Sequence, residues 1–275
     1  MTTLYSGSTI LEMGAIPFTS KFLLKSRHLL DVCHPLTTGP NKFKSHFGRI
    51  LESVFRKDYF TLQTMVTLTD MTEKDDQTKI IFAGSIMALS RRVFEDMIYM
   101  EYISAKDKEK YPKQFVDFSA IDRKNDLDFA LKFNIKIDQT RIEQIESDYA
   151  AAPPKLKDGR HNWAGQSVEQ IIDWLVVHGK IKESEKSMIL ALYIVGNRKN
   201  HTSPSDILHH MNQELLDGAA GLDIELGLMI AHGALNRMGL FLLEETEADE
   251  NVKKEVWECW NSINEAESVV TEATL

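Results

Sequence analysis

The side chains best suited to chemistry lie close together at residues 197–201, where the sequence reads NRKNH. On a helix, positions three and four apart are neighbours, so His201 would lie beside both Asn197 and Arg198. Such a group could cleave RNA. His201 would transfer the proton of the ribose 2′-OH or of the leaving 5′-oxygen, as general base or general acid. Arg198 would stabilise the charge that develops on the phosphate, and Asn197 would orient the imidazole or the phosphate.

The same residues also have a purely structural interpretation. His201 would then cap the C-terminal end of its helix, where the helix dipole favours a cation, and would pack against Tyr193 or Trp163. A second candidate pair lies near the N-terminus, where six residues separate Arg27 from His34. All three interpretations are open at the level of the sequence.

The helical pattern around residue 200 places His201 at a corner. Apolar residues at positions 188, 192 and 195 recur with the helical period and predict one helix over Glu183–His201. A start signal for a second helix follows: Ser203 can cap it, Pro204 suits the first helical position, and Asp206 lies three residues after the cap. We therefore expect His201 to be held between two helices.

A set of short motifs resembles an uncharacterised, all-helical bacterial family over roughly residues 45–215. The motifs are a Trp-x-Gly-x-Ser element, a Tyr eight residues before a His-x-Ser element, and an Arg and a Glu four apart on an earlier helix. In this chain they are Trp163, Gly165, Ser167, Tyr193, His201, Ser203, Arg91 and Glu95. As neighbours on a helix, Arg91 and Glu95 also suit an ordinary ion pair.

More distantly, the helix that ends at His201 is similar to the C-terminal helix of the HEPN superfamily of helical domains. Many HEPN members are metal-independent ribonucleases that use an Arg and a His separated by four to six residues, usually in a site completed across a dimer. The resemblance implies a ribonuclease of a bacterial conflict or defence system with Arg198, His201 and Asn197 in its site. Here two residues separate Arg198 from His201, whereas the spacing of Arg27 and His34 matches the HEPN range.

The composition is that of a soluble globular protein, with 43% hydrophobic and 27% charged residues. A net charge of −9 argues against a general DNA-coating protein. Lys and Arg outnumber Asp and Glu by eight to four in residues 1–60, whereas ten acids face two lysines in residues 241–275. The absence of a long apolar run and of a secretory signal, with only Cys33 and Cys259 present, predicts a cytoplasmic protein without a membrane segment.

The periodicity predicts an all-α fold, a multi-helix bundle of about eight to ten helices. We expect an N-terminal arm and short helix over residues 1–42, a bundle domain over residues 43–265 and a frayed tail over residues 266–275. The first helix should end at Cys33, ahead of Pro35, and separate helices should cover residues 204–216 and 223–243. The last of these is apolar almost all round, so it should be central in the bundle.

No motif in the sequence indicates a metal site or a cofactor, and a metal site assembled from separate helices is the one arrangement left open. The nine histidines form neither His-x-x-x-His nor His-Glu-x-x-His, and no glycine-rich phosphate loop occurs. Two functions therefore remain: a HEPN-like ribonuclease toxin or defence effector, and a non-catalytic helical module that binds a partner protein or a ligand. The candidate partners are RNA, another protein and a second copy of the chain, and whether the protein is an enzyme stays open.

Overall fold

The structure is a computed structural model, which describes residues 19–38, 43–72, 76–157, 163–200, 213–246, 250–259 and 261. The prediction of an all-helical bundle is confirmed, since the β-type pairing among these residues is a single antiparallel bridge between Phe43 and Thr246. The helices are α1 (Thr19–Thr38), α2 (His46–Thr72), α3 (Asp76–Lys106), α4 (Lys110–Lys132), α5 (Gln139–Ala151), α6 (Pro154–Lys157), α7 (Val168–Val177), α8 (Glu183–Asn200) and α9 (Gln213–Glu245), followed by the helical segment 250–259.

Helix α9 lies at the centre of the bundle, as its apolar sequence predicts. Ile224, Leu228, Leu235 and Met238 are completely buried. The helix packs against α1, α2 and α3, so three neighbours share the burial of its surface. A helix with apolar residues on every side is stable only when it is enclosed in this way.

A glycine allows the close approach of α3 and α9. A Cβ atom on Gly227 would lie 2.8 Å from Cγ2 of Ile86 and 3.4 Å from Sδ of Met87. Both neighbours are completely buried, so neither side chain has space into which it could retreat. The missing side chain therefore sets the distance between the two longest helices of the bundle.

The ends of three elements meet at Glu245. Ser45 donates a hydrogen bond of 2.6 Å to Oε2 of Glu245 and accepts one of 3.1 Å from the backbone N–H of Gly48, which caps α2. Lys108, in the turn between α3 and α4, lies 2.5 Å from Oε1 of the same carboxylate. The hydrogen bonds from Lys108 and Ser45 outweigh the effect of burial and lower the pKa of Glu245. This carboxylate therefore holds the starts of α2 and α4 against the end of α9.

Two predicted helix boundaries are wrong. Helix α1 does not end at Cys33 but continues through Pro35 to Thr38, because Leu36 is buried in the core and the Thr37 hydroxyl bonds to the carbonyl of His34 at 2.8 Å. Helix α9 begins at Gln213 rather than at residue 223. The glycines near its start do not interrupt it, although each costs about 1 kcal/mol in a helix. Most of the predicted helix at residues 204–216, and the tail at residues 266–275, lie outside the described residues.

Part of α9 also has the length and composition of a membrane span. Residues Ala220–Glu245 have a hydropathy of 1.4 in their most apolar window, and 72% of that window is buried inside the bundle. A core helix of a soluble protein passes the same compositional test as a membrane span. Composition therefore does not separate the two for this helix.

Substitution of Leu235 by Asp tests the central position of α9. The variant should lose about 3 kcal/mol or more in free energy of unfolding, because it places an unpaired charge in a fully buried position. Leu222→Asp is the matched control, since Leu222 lies on the same helix with 67% of its surface exposed. Urea denaturation of both variants measures the difference, and equal midpoints would contradict the placement of this helix.

Candidate functional site

Three of the motif residues, Arg91, Glu95 and Tyr193, lie on a seam where α8 runs antiparallel to α3. Near the start of α8, Lys180 lies close enough to Glu101 for its charge to act on that carboxylate. Further along the seam, the ring of Tyr193 lies against Arg91, ten residues earlier in α3 than Glu101. The two helices therefore form one continuous surface, with Glu101 at one end and Arg91 towards the other.

The predicted pairing of Arg91 with Glu95 is present on this seam. The guanidinium Nη2 lies 3.2 Å from Oε2 of Glu95, and both side chains are about one quarter exposed, at 24% and 25%. The same guanidinium lies 5.4 Å from the ring centroid of Tyr193, within cation–π range. Tyr99 donates a hydrogen bond of 3.3 Å to Oε1 of Glu95, and burial followed by the charge of Glu95 raises the pKa of the Tyr99 phenol. Arg91 thus presents a cation, held from two sides, to partly accessible space.

The Trp-x-Gly-x-Ser element has a structural explanation. Trp163 is buried and contacts Tyr99 and Phe115 edge-on, each with ring centroids 5.5 Å apart. Gly165 has a φ of +63°, a conformation that side-chain-bearing residues rarely adopt. Ser167 then caps α7 through a capping box with Gln170. These residues position the aromatic cluster and start a helix.

An aromatic cage surrounds Lys106 at the end of α3. Its Nζ lies 4.5 Å from the ring centroid of Tyr102, 5.2 Å from that of Tyr111 and 4.9 Å from that of Trp174. The ammonium also hydrogen bonds to the Tyr102 hydroxyl. Because the rings belong to α3, α4 and α7, the cation joins three helices. Only the i, i+4 spacing of Tyr102 and Lys106 could have indicated this cluster from the sequence, since the other two rings come from α4 and α7.

A cavity of about 580 Å³ opens between α3, α8 and α9, and residues of the seam such as Phe94 and Leu192 line it. Most of its wall is apolar and comes from all three helices. At one end lie the Glu101–Arg237 ion pair, with Nη2 2.9 Å from Oε1, and the turn that contains Lys180. The two members of this pair are 136 residues apart, so no local pattern in the sequence could have indicated them.

The predicted catalytic group lies only partly within the described residues. Asn197 and Arg198 belong to the last turns of that helix, beyond Tyr193. Their side chains and the whole of His201 lie outside the described residues. The grouping of Asn197, Arg198 and His201 therefore stays a prediction.

The alternative pair near the N-terminus is separated by its own contacts on α1. Arg27 forms an ion pair with Asp70, and both side chains are substantially exposed, at 46% and 39%. His34 instead lies near Tyr59, with Nδ1 3.4 Å from the phenol oxygen. The positive charge of Arg27 is thus already balanced by a carboxylate of α2.

A buried carboxyl group that the sequence analysis did not single out lies where α2 meets α3. Asp58 is completely buried, and its nearest ion-pair partner, Lys57, lies 3.5 Å from Oδ1 and also hydrogen bonds to Asp96. Burial, and then the negative charge of Asp96, raise the pKa of Asp58 well above its usual range.

Among the described residues, no group of three or more His, Cys, Asp or Glu side chains is arranged to hold a metal ion.

Replacing Asp58 by Asn should change how stability depends on pH. Because its pKa is raised in the folded state, Asp58 stays protonated there at pH values where it is ionised in the unfolded chain. Its contribution to the free energy of unfolding is therefore complete below the unfolded-state pKa of about 3.9 and is lost as the pH rises. Asp58→Asn removes this loss, and its stability relative to the wild type should therefore increase from pH 5 to pH 8. Melting temperatures across that range provide the measurement, with exposed Asp31→Asn as the control. A difference from the wild type that is constant with pH would contradict the prediction.

Comparison with known proteins gives one result. The chain matches no curated protein and no solved structure. It does match a family of unknown function, DUF5677, over residues 56–219, which is more than half of its 275 residues. The matched range contains Arg91, Glu95, Trp163 and Tyr193, so the seam between α3 and α8 lies within it. The chain therefore belongs to the DUF5677 family, whose function is unknown.

Proposed function

We propose that this protein is a HEPN-like, metal-independent ribonuclease of a bacterial conflict or defence system, which acts in the cytoplasm. In this proposal His201 is the general acid or base, Arg198 stabilises the phosphate charge, and Asn197 orients one of the reacting groups. A second copy of the chain would complete the site, as the HEPN resemblance implies. Cys33 and Cys259 are buried free thiols, which suits a reducing compartment.

The observation that supports this proposal is the position of Arg91. Its guanidinium lies against Tyr193, and α8 continues from Tyr193 to Asn197 and Arg198. A buried Nε of Arg91 has no hydrogen-bond partner among the described residues. A cation on α3 beside the same stretch of α8 would assist Arg198 in binding the scissile phosphate, because arginine suits bidentate phosphate contacts.

A non-catalytic binding module is the second candidate function. The cavity between α3, α8 and α9 favours it, because a concave and mostly apolar site with a few convergent polar groups is the usual form of a small-molecule site. This function requires no contribution from His201.

Substitutions of His201 and Arg198 test the ribonuclease proposal directly. Purified protein should cleave RNA in the presence of EDTA, and His201→Ala should reduce the rate by about 10²–10⁴-fold, as the loss of a general acid or base does. Its melting temperature should change little, because a helix-end histidine contributes at most about 2 kcal/mol. The control is His46→Ala, which removes an exposed histidine at the start of α2. Cleavage by His201→Ala and Arg198→Ala at the wild-type rate would exclude this site and direct attention to Arg27 and His34.

The contribution of Arg91 has its own test. Arg91→Gln should reduce RNA cleavage by about 10²-fold, the typical effect of losing one group that stabilises developing charge. Arg92→Gln removes the exposed arginine next to it and should retain full activity. Equal cleavage rates for the two variants would mean that Arg91 serves only to hold α3 against α8.

A further inference from the structure

We propose that the cavity between α3, α8 and α9 binds an amphipathic monoanion, an apolar chain or ring system that carries one carboxylate. The inference rests on the binding-module function described above and is independent of any ribonuclease activity. It names the chemical class of the ligand, which that function leaves open.

The size and lining of the cavity fit an apolar body. Its volume of about 580 Å³ falls within the roughly 300–1,000 Å³ typical of small-molecule sites. The apolar part of the wall comes from α3, α8, α9 and the turn before α8, and consists of Phe94, Met97, Ile98, Ile181, Ile189, Leu192, Met229, Ile230 and Ala234. Transfer of an apolar ligand from water into such a wall is favourable in proportion to the area that it buries.

The charged groups of the cavity lie together at one end. Glu101 is nearly buried, with 8% of its side chain exposed, and it accepts a hydrogen bond of 2.9 Å from Arg237. Burial raises the pKa of Glu101, while the charge of Arg237 opposes that shift. This pair provides a polar end opposite the apolar wall. The two parts of the cavity therefore match the polar and apolar parts of an amphipathic ligand.

A rigid turn brings Lys180 to the polar end. The N–H of Gly179 bonds to the carbonyl of Val176 at 2.9 Å, and the N–H of Lys180 bonds to that of Leu175 at 2.8 Å. These two bonds form the Schellman motif that ends α7, and they require the φ of +67° at Gly179. Lys180 is therefore held at the mouth of the cavity by backbone geometry.

The sign of the charge at this end selects an anion. The polar wall carries three cations, Lys180, Lys182 and Arg237, against the two carboxylates Glu101 and Glu185. Arg237 is paired with Glu101, and Lys182 lies 3.7 Å from Glu185. Within the described part of the chain, no carboxylate lies at ion-pair distance from Lys180. One positive charge is thus in excess where a ligand headgroup would lie.

The proposal is tested with three probes that share one apolar chain. Decanoate, decylamine and 1-decanol are titrated into the full-length protein by calorimetry at pH 7.5, below their aggregation concentrations. Decanoate should bind with one site and raise the melting temperature, and the other two should bind more weakly. Absence of decanoate binding would overturn the binding site itself, whereas equal or tighter binding of decylamine or decanol would overturn the choice of an anion.

Filling the cavity provides the first pair of variants. Gly233 lines the cavity, and a Cβ atom at this position meets no other atom within 4 Å, so Gly233→Phe should place its ring in the cavity and abolish decanoate binding. Gly221→Phe is the matched control, because Gly221 lies on the same helix with equally open space and does not line the cavity. Retention of decanoate binding by folded Gly233→Phe would overturn the proposal.

Charge reversal at the surface provides a second pair of variants that does not disturb the core. Lys180→Glu should weaken decanoate binding about two- to fivefold, which is the contribution of an exposed charge pair. The same variant should bind decylamine more tightly. Lys113→Glu changes the net charge equally at an exposed position of α4 and should leave both affinities unchanged. Unaltered affinities in Lys180→Glu would show that the excess charge does not select the ligand.

Discussion

The burial of α9 is the constraint on which the rest of the structure depends. Because this helix is apolar on nearly every side, it must be enclosed by α1, α2 and α3. The absence of a side chain at Gly227 brings α9 into close contact with α3. The surface of α3 is consequently divided, with one side against α9 and another facing α8 and the aromatic cluster around Trp163.

This division explains why charged groups occur where helices meet. A charge removed from water is costly unless it is paired, and α3 supplies Glu101 to Arg237 of α9 and Glu95 to its own Arg91. Asp58 follows the other solution open to a buried carboxyl group, a raised pKa that favours the neutral form. The seam between α3 and α8 thus combines an apolar wall with a few charges that ion pairs hold in place.

The motif residues near α3 have different physical roles. Trp163, Gly165 and Ser167 are explained by packing, backbone conformation and helix capping, so they require no chemical role. Packing does not fully explain Arg91. Tyr193 and Glu95 hold its guanidinium in place, but the side chain remains partly accessible to solvent. The cavity is lined by other residues of the same two helices, α3 and α8.

Local patterns in the sequence were sufficient to predict what depends on neighbouring residues. The Arg91–Glu95 pair follows from a spacing of four residues, and the burial of α9 follows from its continuous apolar pattern. The tertiary structure alone decided the continuation of α1 through Pro35, since packing of Leu36 in the core outweighs the local stop signal. The cavity and its Glu101–Arg237 pair join residues distant in the chain, and such contacts leave no periodic trace in a single sequence.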